Sequence, residues 1–130
     1  MNSYLNGISW RSAFGPWQSS GFITYRKYSD ILRPSPAQLW LMMDEREDSI
    51  NDGYFSFDVG EGKIVDYPGS YHSGSANINF ADGHSEKKKW YDQRTKPIIE
   101  KGVLIDLNVP SPENIDIAWL EQRTTSVARK

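Results

Sequence analysis

The sequence predicts a single α+β domain over residues 1–130: a short antiparallel β-sheet with long loops and a C-terminal helix. Three observations carry this. Ala76 to Ala81 alternates apolar and polar residues, runs into Asp82-Gly83, and returns as His84 to Trp90, the pattern of a β-hairpin. Pro110 to Arg123 holds one set of helix-start signals followed by helically spaced apolar residues. The stretches between are rich in Gly, Pro, Ser and Asn, so regular structure is confined to short runs. A chain of 130 residues has room for one core rather than two.

Taken in order, residues 1 to 21 read as irregular chain pinned by Trp10, Phe14 and Trp17. Phe22 to Tyr28 is β-branched and aromatic and predicts a short strand, closed by Asp30 and Pro34. Pro34-Ser35-Pro36 marks a turn or a single helical turn, because each Pro disfavours helical backbone in the residue before it. Leu39 to Met43 is continuously apolar for five residues and predicts a buried central strand. Tyr54 to Val59 predicts another strand between the turn signals Asn51-Asp52-Gly53 and Gly60-Glu61-Gly62.

In the hairpin, a two-residue type I′ turn at Asp82-Gly83 would set Ala81 opposite His84, Asn79 opposite Glu86 and Asn77 opposite Lys88. Ile78 and Phe80 would then form the buried face, with Ser85 and Lys87 opposite them. Gly102 to Leu107 predicts a last strand. Ser111 as N-cap and Pro112 at the first helical position predict the helix, with Ile115, Trp119 and Leu120 on its apolar face. Thr124 to Lys130 is expected to fray.

Composition narrows the function classes. Fifteen Lys and Arg against seventeen Asp and Glu provide no basic field to hold a nucleic acid, so none is expected as a partner. The absence of Cys removes disulfides, thiolate metal sites and cysteine nucleophiles. The first ten residues lack a basic region and an apolar run, and no stretch approaches the roughly 20 apolar residues of a membrane span, so no direct membrane contact is expected of this chain.

Two groups of residues could carry chemistry. Asp44 to Asp66 holds eight acids against two bases, and Asp44, Glu45, Asp48 and Asp52 are close enough to converge as candidate calcium ligands, although they lack the acid spacing of an EF-hand loop. Calcium is the best-supported metal this composition suggests. His72, Asp82 and His84 could in principle ligate a metal and serve a metal-dependent hydrolase. Their spacing argues for structural duty instead, because a whole strand separates His72 from the other two.

No nucleophile elbow, zinc-protease motif or phosphate-binding Gly loop occurs, so no catalytic residue is assigned and the chain is expected not to be an enzyme. Lys87-Lys88-Lys89 reads as protection of a sheet edge. Five Trp and seven Tyr could also furnish the sugar-stacking platform of an extracellular carbohydrate-binding module, the main competing class.

The segment from His72 to His84 resembles the signature of a bacterial family of prepilin-like proteins, related to the type II secretion major pseudopilin and similar in build to type IV pilins. In it, a His is followed by nine residues and an Asp-Gly. Here the matching positions are His72, Asn77, Phe80, Asp82, Gly83 and His84, in the run Ala76-Asn77-x-x-Phe80-Ala81-Asp82-Gly83-His84. Asn2-Ser-Tyr-Leu-Asn-Gly7, Pro34-Ser-Pro-Ala-Gln-Leu-Trp-Leu-Met-Met-Asp-Glu45, Asp116-Ile-Ala-Trp-Leu120 and Thr124-Thr125 are similar to other segments of that family. The resemblance implies a pilin-like globular head acting as a structural protein of the cell envelope or an extracytoplasmic site. It also implies an apolar N-terminal helix, absent from this sequence, through which the head would meet other pilin-like subunits or secretion machinery. Calcium in a loop of the head is a further implication.

Overall fold

The computed structural model describes residues 1–5, 21–56 and 58–128. The expected anchors Trp10, Phe14 and Trp17 lie outside these residues. A small antiparallel sheet and one C-terminal helix are present, as an α+β fold requires. Strands β1 (Trp40–Met43), β3 (Ser75–Phe80) and β4 (Ser85–Lys89) form a three-stranded antiparallel sheet in the order β1-β3-β4. Strands β2 (Lys63–Ile64) and β5 (Val109–Pro110) pair separately, and helix α1 spans Ile115–Thr124.

Strand β3, not the more apolar β1, is central. Its alternation places Ala76, Ile78 and Phe80 in the core while Asn77 and Asn79 face outward. They pack with Trp40, Phe55, Ile64, Tyr67, Trp90, Ile117 and Leu120 in one apolar cluster. A fully buried aromatic or branched aliphatic side chain contributes about 1.5–3 kcal/mol, so this cluster supplies most of the folding drive. Strand β1 lies at the sheet margin and bulges between Trp40 and Met42, which leaves Met42 about half exposed.

The hairpin forms, with a different turn and a register shifted by one. Asn79 faces Ser85, Ile78 faces Glu86 and Asn77 faces Lys87. Phe80 N–H donates to the His84 carbonyl at 2.9 Å and Gly83 N–H to the Phe80 carbonyl at 3.0 Å, so the loop is Ala81-Asp82-Gly83. Only Gly83 takes a positive φ, +94°, the three-residue loop that ends on a left-handed glycine. A type I′ turn would have needed positive φ at Asp82 as well. The buried face is still Ile78 and Phe80, because their placement depends on the alternation of β3 alone. Their cross-strand partners become Glu86 and His84, and the His84 ring stacks on Phe80 with centroids 4.5 Å apart.

Other expectations are corrected by hydrogen bonding. Among the described residues, Phe22 to Tyr28 makes only the isolated bridges Leu5–Tyr25 and Phe22–Val127 and then enters a single 3-10 turn at Tyr28–Asp30. Within Tyr54 to Val59, Phe55 bridges Asn2 and no strand extends among the described residues. The last strand falls at Val109–Pro110 rather than 102–107, whose Ile105 N–H instead reaches the Asp48 carbonyl. The Pro34 turn is present, with a cis Arg33–Pro34 bond and with the Gln38 and Leu39 N–H groups on the Ser35 carbonyl.

The helix starts three residues later than expected. Asn114 is the N-cap, its Oδ1 accepting from the N–H groups of Asp116 and Ile117, while Ser111 Oγ accepts from Asn114 Nδ2. Starting at 115 rotates the inward face to Asp116, Ile117, Leu120 and Thr124, and leaves Ile115 60% exposed. The segment after the helix is pinned through residue 128. Thr125 Oγ1 donates to the Ile23 carbonyl at 2.6 Å and Ala128 N–H to the Gly21 carbonyl at 2.6 Å, so the 21–25 segment supplies the partners that prevent fraying.

Replacing Gly83 by Val should destabilise the fold by about 1 kcal/mol or more, because a β-branched residue is strained at that φ. Nothing lies within 4 Å of the added Cβ, so the loss would be a backbone effect. Urea denaturation checks it, and an unchanged midpoint would contradict the assigned turn.

Candidate functional site

Asp82, Gly83 and His84 meet at the hairpin tip. Asp82 Oδ1 accepts from the His84 N–H at 3.1 Å and contacts His84 Nδ1 at 2.5 Å. Hydrogen bonds from the His84 ring and backbone hold the Asp82 carboxyl below its ordinary pKa. The tip also leans on the Pro34 turn, since Ala81 N–H donates to the Leu39 carbonyl and Asp82 N–H to the Pro36 carbonyl. His72 sits apart, exposed in the turn that precedes β3. The six residues of β3, about 20 Å when extended, separate it from Asp82 and His84. Asn77 is exposed mid-strand, and Phe80 is buried beneath the His84 ring.

The four acids considered as calcium ligands hold four separate positions. Asp44 Oδ2 accepts from the Asn77 N–H at the end of β1. Glu45 Oε1 accepts from Ser49 Oγ. Asp48 gives both oxygens to the guanidinium of Arg46, at 2.9 and 2.6 Å. Asp52 Oδ1 accepts from the Tyr54 N–H. Among the described residues, no group of three or more His, Asp or Glu side chains is arranged to hold a metal ion.

Three groups have roles that the sequence did not indicate. Arg46 is fully buried; besides Asp48 it donates to the Pro97 carbonyl at 2.5 Å and lies over the Tyr67 ring. Asp116, also fully buried, accepts the N–H groups of Tyr91 and Asp92 at 2.9 Å, with Lys88 Nζ 3.5 Å from its other oxygen. That lysine is ringed by Trp90, Tyr91 and Trp119 at 5.1–5.3 Å, an internal cation–π cage. Asp66, 3% exposed, accepts the Ser56 N–H through one oxygen, while its other oxygen is buried without a hydrogen bond. An acid just after an apolar pair, as in Ile64-Val65-Asp66, was the available signal for Asp66. For Arg46 and Asp116 no local signal existed.

Glu45 and Asp66 are two carboxyls that burial makes harder to ionise. Burial, then the charge of Asp66, raises Glu45 from 4.5 to about 7, against the Ser49 hydrogen bond and the Met1 ammonium; Asp52 adds to the rise. Burial raises Asp66 from 3.8 to about 6, opposed by the Ser56 N–H. Two clefts flank the 3-10 turn. The larger, about 500 Å³, is lined by Ile23, Asp30, Leu32, Arg33, Val127 and Ala128, and the Asp30 carboxylate already accepts the N–H groups of Arg26 and Lys27.

Comparison with family models, curated proteins and solved structures found no match to this chain. Among the described residues no helix is long and apolar enough to cross a membrane.

The raised carboxyls fix a pH dependence. Between pH 4.5 and about 7 the folded chain keeps a proton on Glu45 that the unfolded chain has released, so stability falls as pH rises through that window and stays low above it. Glu45→Gln retains an acceptor for Ser49 and removes the charge. It should raise thermal stability at pH 8 by roughly 1 kcal/mol after allowing for solvent screening, and leave it unchanged near pH 4. Equal effects at both pH values would contradict the raised Glu45 carboxyl. Arg46→Ala should cost about 3–5 kcal/mol at pH 7, because it strands Asp48 as a buried charge; chemical denaturation measures it.

Proposed function

We propose that this chain is the non-catalytic globular head of a pilin-like or type II secretion pseudopilin-like subunit in the cell envelope. The head would join its assembly through an apolar helix outside the given residues. The observation that carries the reading is the run from His72 through nine residues to Asp82-Gly83, laid out as the central strand and tip of the hairpin around which the core packs. A signature built this way specifies a scaffold: alternation sets the core face, Gly83 permits the loop, and the Asp82–His84 pair closes it. Such a head supplies specificity, while the burial of apolar helices, at about 25 cal/mol per Å², supplies most of the assembly energy.

The carbohydrate-binding alternative draws no support from the described tryptophans. Trp40 and Trp90 are fully buried, and Trp119 is covered by Lys88 and by Arg123, whose guanidinium lies 4.3 Å from its ring centre.

Assembly, turnover and binding measurements test the proposal. The coding region preceding Met1 should encode an apolar helix behind a short basic leader, and the chain attached to that helix should enter filaments or secretion complexes while the isolated head sediments as a monomer or weak dimer. Stable high-order oligomers of the isolated head would overturn it. So would turnover of ester, phosphate or glycoside substrates that disappears in His72→Ala or Asp82→Ala. Calorimetry with calcium decides the cofactor, since saturable binding weakened by Asp52→Asn would assign it to the acidic window.

A further inference from the structure

The lysine run lies on a strand whose outer edge is unpaired. Phe80 N–H bonds the His84 carbonyl and Trp90 N–H the Gly74 carbonyl, so even-numbered residues of β4 direct their main-chain groups toward β3. Ser85, Lys87 and Lys89 therefore direct theirs outward. Among the described residues the one bond to these outward groups comes from Lys88 Nζ, on the Lys89 carbonyl. All three residues are exposed.

Charge selects what can pair there. Lys87 and Lys89 share one face of the strand by its period of two. A second copy docking its own β4 antiparallel about Lys87 would set lysine against lysine, which like-charge repulsion across a strand pair disfavours. An incoming strand with carboxylates at alternate positions meets both ammonium groups and satisfies the outward N–H and C=O groups at once. The edge is also held in advance of binding: Lys88, on the opposite face, is anchored over Trp90, Tyr91 and Trp119 and beside Asp116. Less ordering is then needed when a partner arrives.

We infer that the outer edge of β4 is a docking site for an acidic, extended segment of a partner protein, bound by strand addition with alternate carboxylates facing Lys87 and Lys89. This inference rests on the geometry of β4 and not on the pilin-like reading, which stands or falls separately by the filament experiment.

The test uses three capped eight-residue peptides titrated into the isotopically labelled chain: alternating Glu-Val, alternating Lys-Val, and Glu-Val methylated on alternate backbone nitrogens. The first should bind at low salt and shift the amide resonances of Ser85, Lys87 and Lys89 more than that of Glu86. The second should not bind. The third should bind about tenfold more weakly or worse, because methylation removes main-chain hydrogen bonds and keeps the charge. Lys87→Glu with Lys89→Glu should weaken the Glu-Val peptide by a similar factor. Lys87→Pro should abolish binding while the core resonances persist, since proline is tolerated where an edge N–H faces solvent. Equal binding of the methylated peptide, equal binding of the Lys-Val peptide, or shifts away from β4 would overturn the inference. So would self-association of the chain through β4. The peptide comparisons use the unmodified chain and hold even if a variant fails to fold.

Discussion

Buried main chain outside strands and helices has to find hydrogen-bond partners one group at a time, and this chain buries a great deal of it. Asn2 shows the solution. Its N–H donates to the Leu41 carbonyl, its Nδ2 to the carbonyls of Trp40 and Thr124, and its Oδ1 accepts from Tyr4 N–H. One fully buried side chain thereby joins the first residues, the margin of the sheet and the end of the helix. Trp40 Nε1 closes the same junction by donating to Thr124 Oγ1, which in turn donates to the Leu120 carbonyl. The apolar cluster can form against α1 only because this junction leaves few main-chain groups stranded within it.

The same device recurs wherever a loop crosses the core. Ser49 Oγ accepts the Tyr67 N–H, Asp66 accepts the Ser56 N–H, Asp116 accepts from Tyr91 and Asp92, and Asn114 ties Thr95 and Ser111 to the helix start. Arg46 does it with charge, binding Asp48 on one side and the Pro97 carbonyl on the other. Networks of this kind act as units in a medium of low dielectric, where removing one partner exposes the full desolvation penalty of the other. They also account for why the polar residues of the acidic stretch work as connectors, each bound to its own neighbour, rather than as one converging set. Glu45 and Asp66 serve in this way at the cost of ionising less readily, because both are buried.

What is left exposed is correspondingly simple. The sheet turns Asn77, Asn79, Ser85 and Lys87 outward, and its outer margin is the lysine-bearing β4. A chain that fixes its interior through polar junctions keeps that surface in one conformation. Recognition by it would then depend on charge and strand geometry rather than on rearrangement.

The sequence by itself determined the α+β class, the hairpin and its buried face, and the Pro34 turn, because each rests on local physics: alternation, a glycine at a loop, a fixed proline φ. It named the neighbourhood of the hairpin loop but missed the loop length, since a three-residue loop and a two-residue turn place the same residue types within one position of each other. Tertiary structure decided where pairing was made by distant partners. Phe22 to Tyr28 has strand-like residues but, among the described residues, no neighbour running alongside for more than single bridges, and Leu39 to Met43 is displaced from the centre because β3 carries the better-alternating face. Asn114 displaced Ser111 as the cap because Thr95 holds the asparagine amide in place. The duties of Asn2, Arg46 and Asp116 could not be read at all, for each is defined by main-chain groups brought to it from far along the chain.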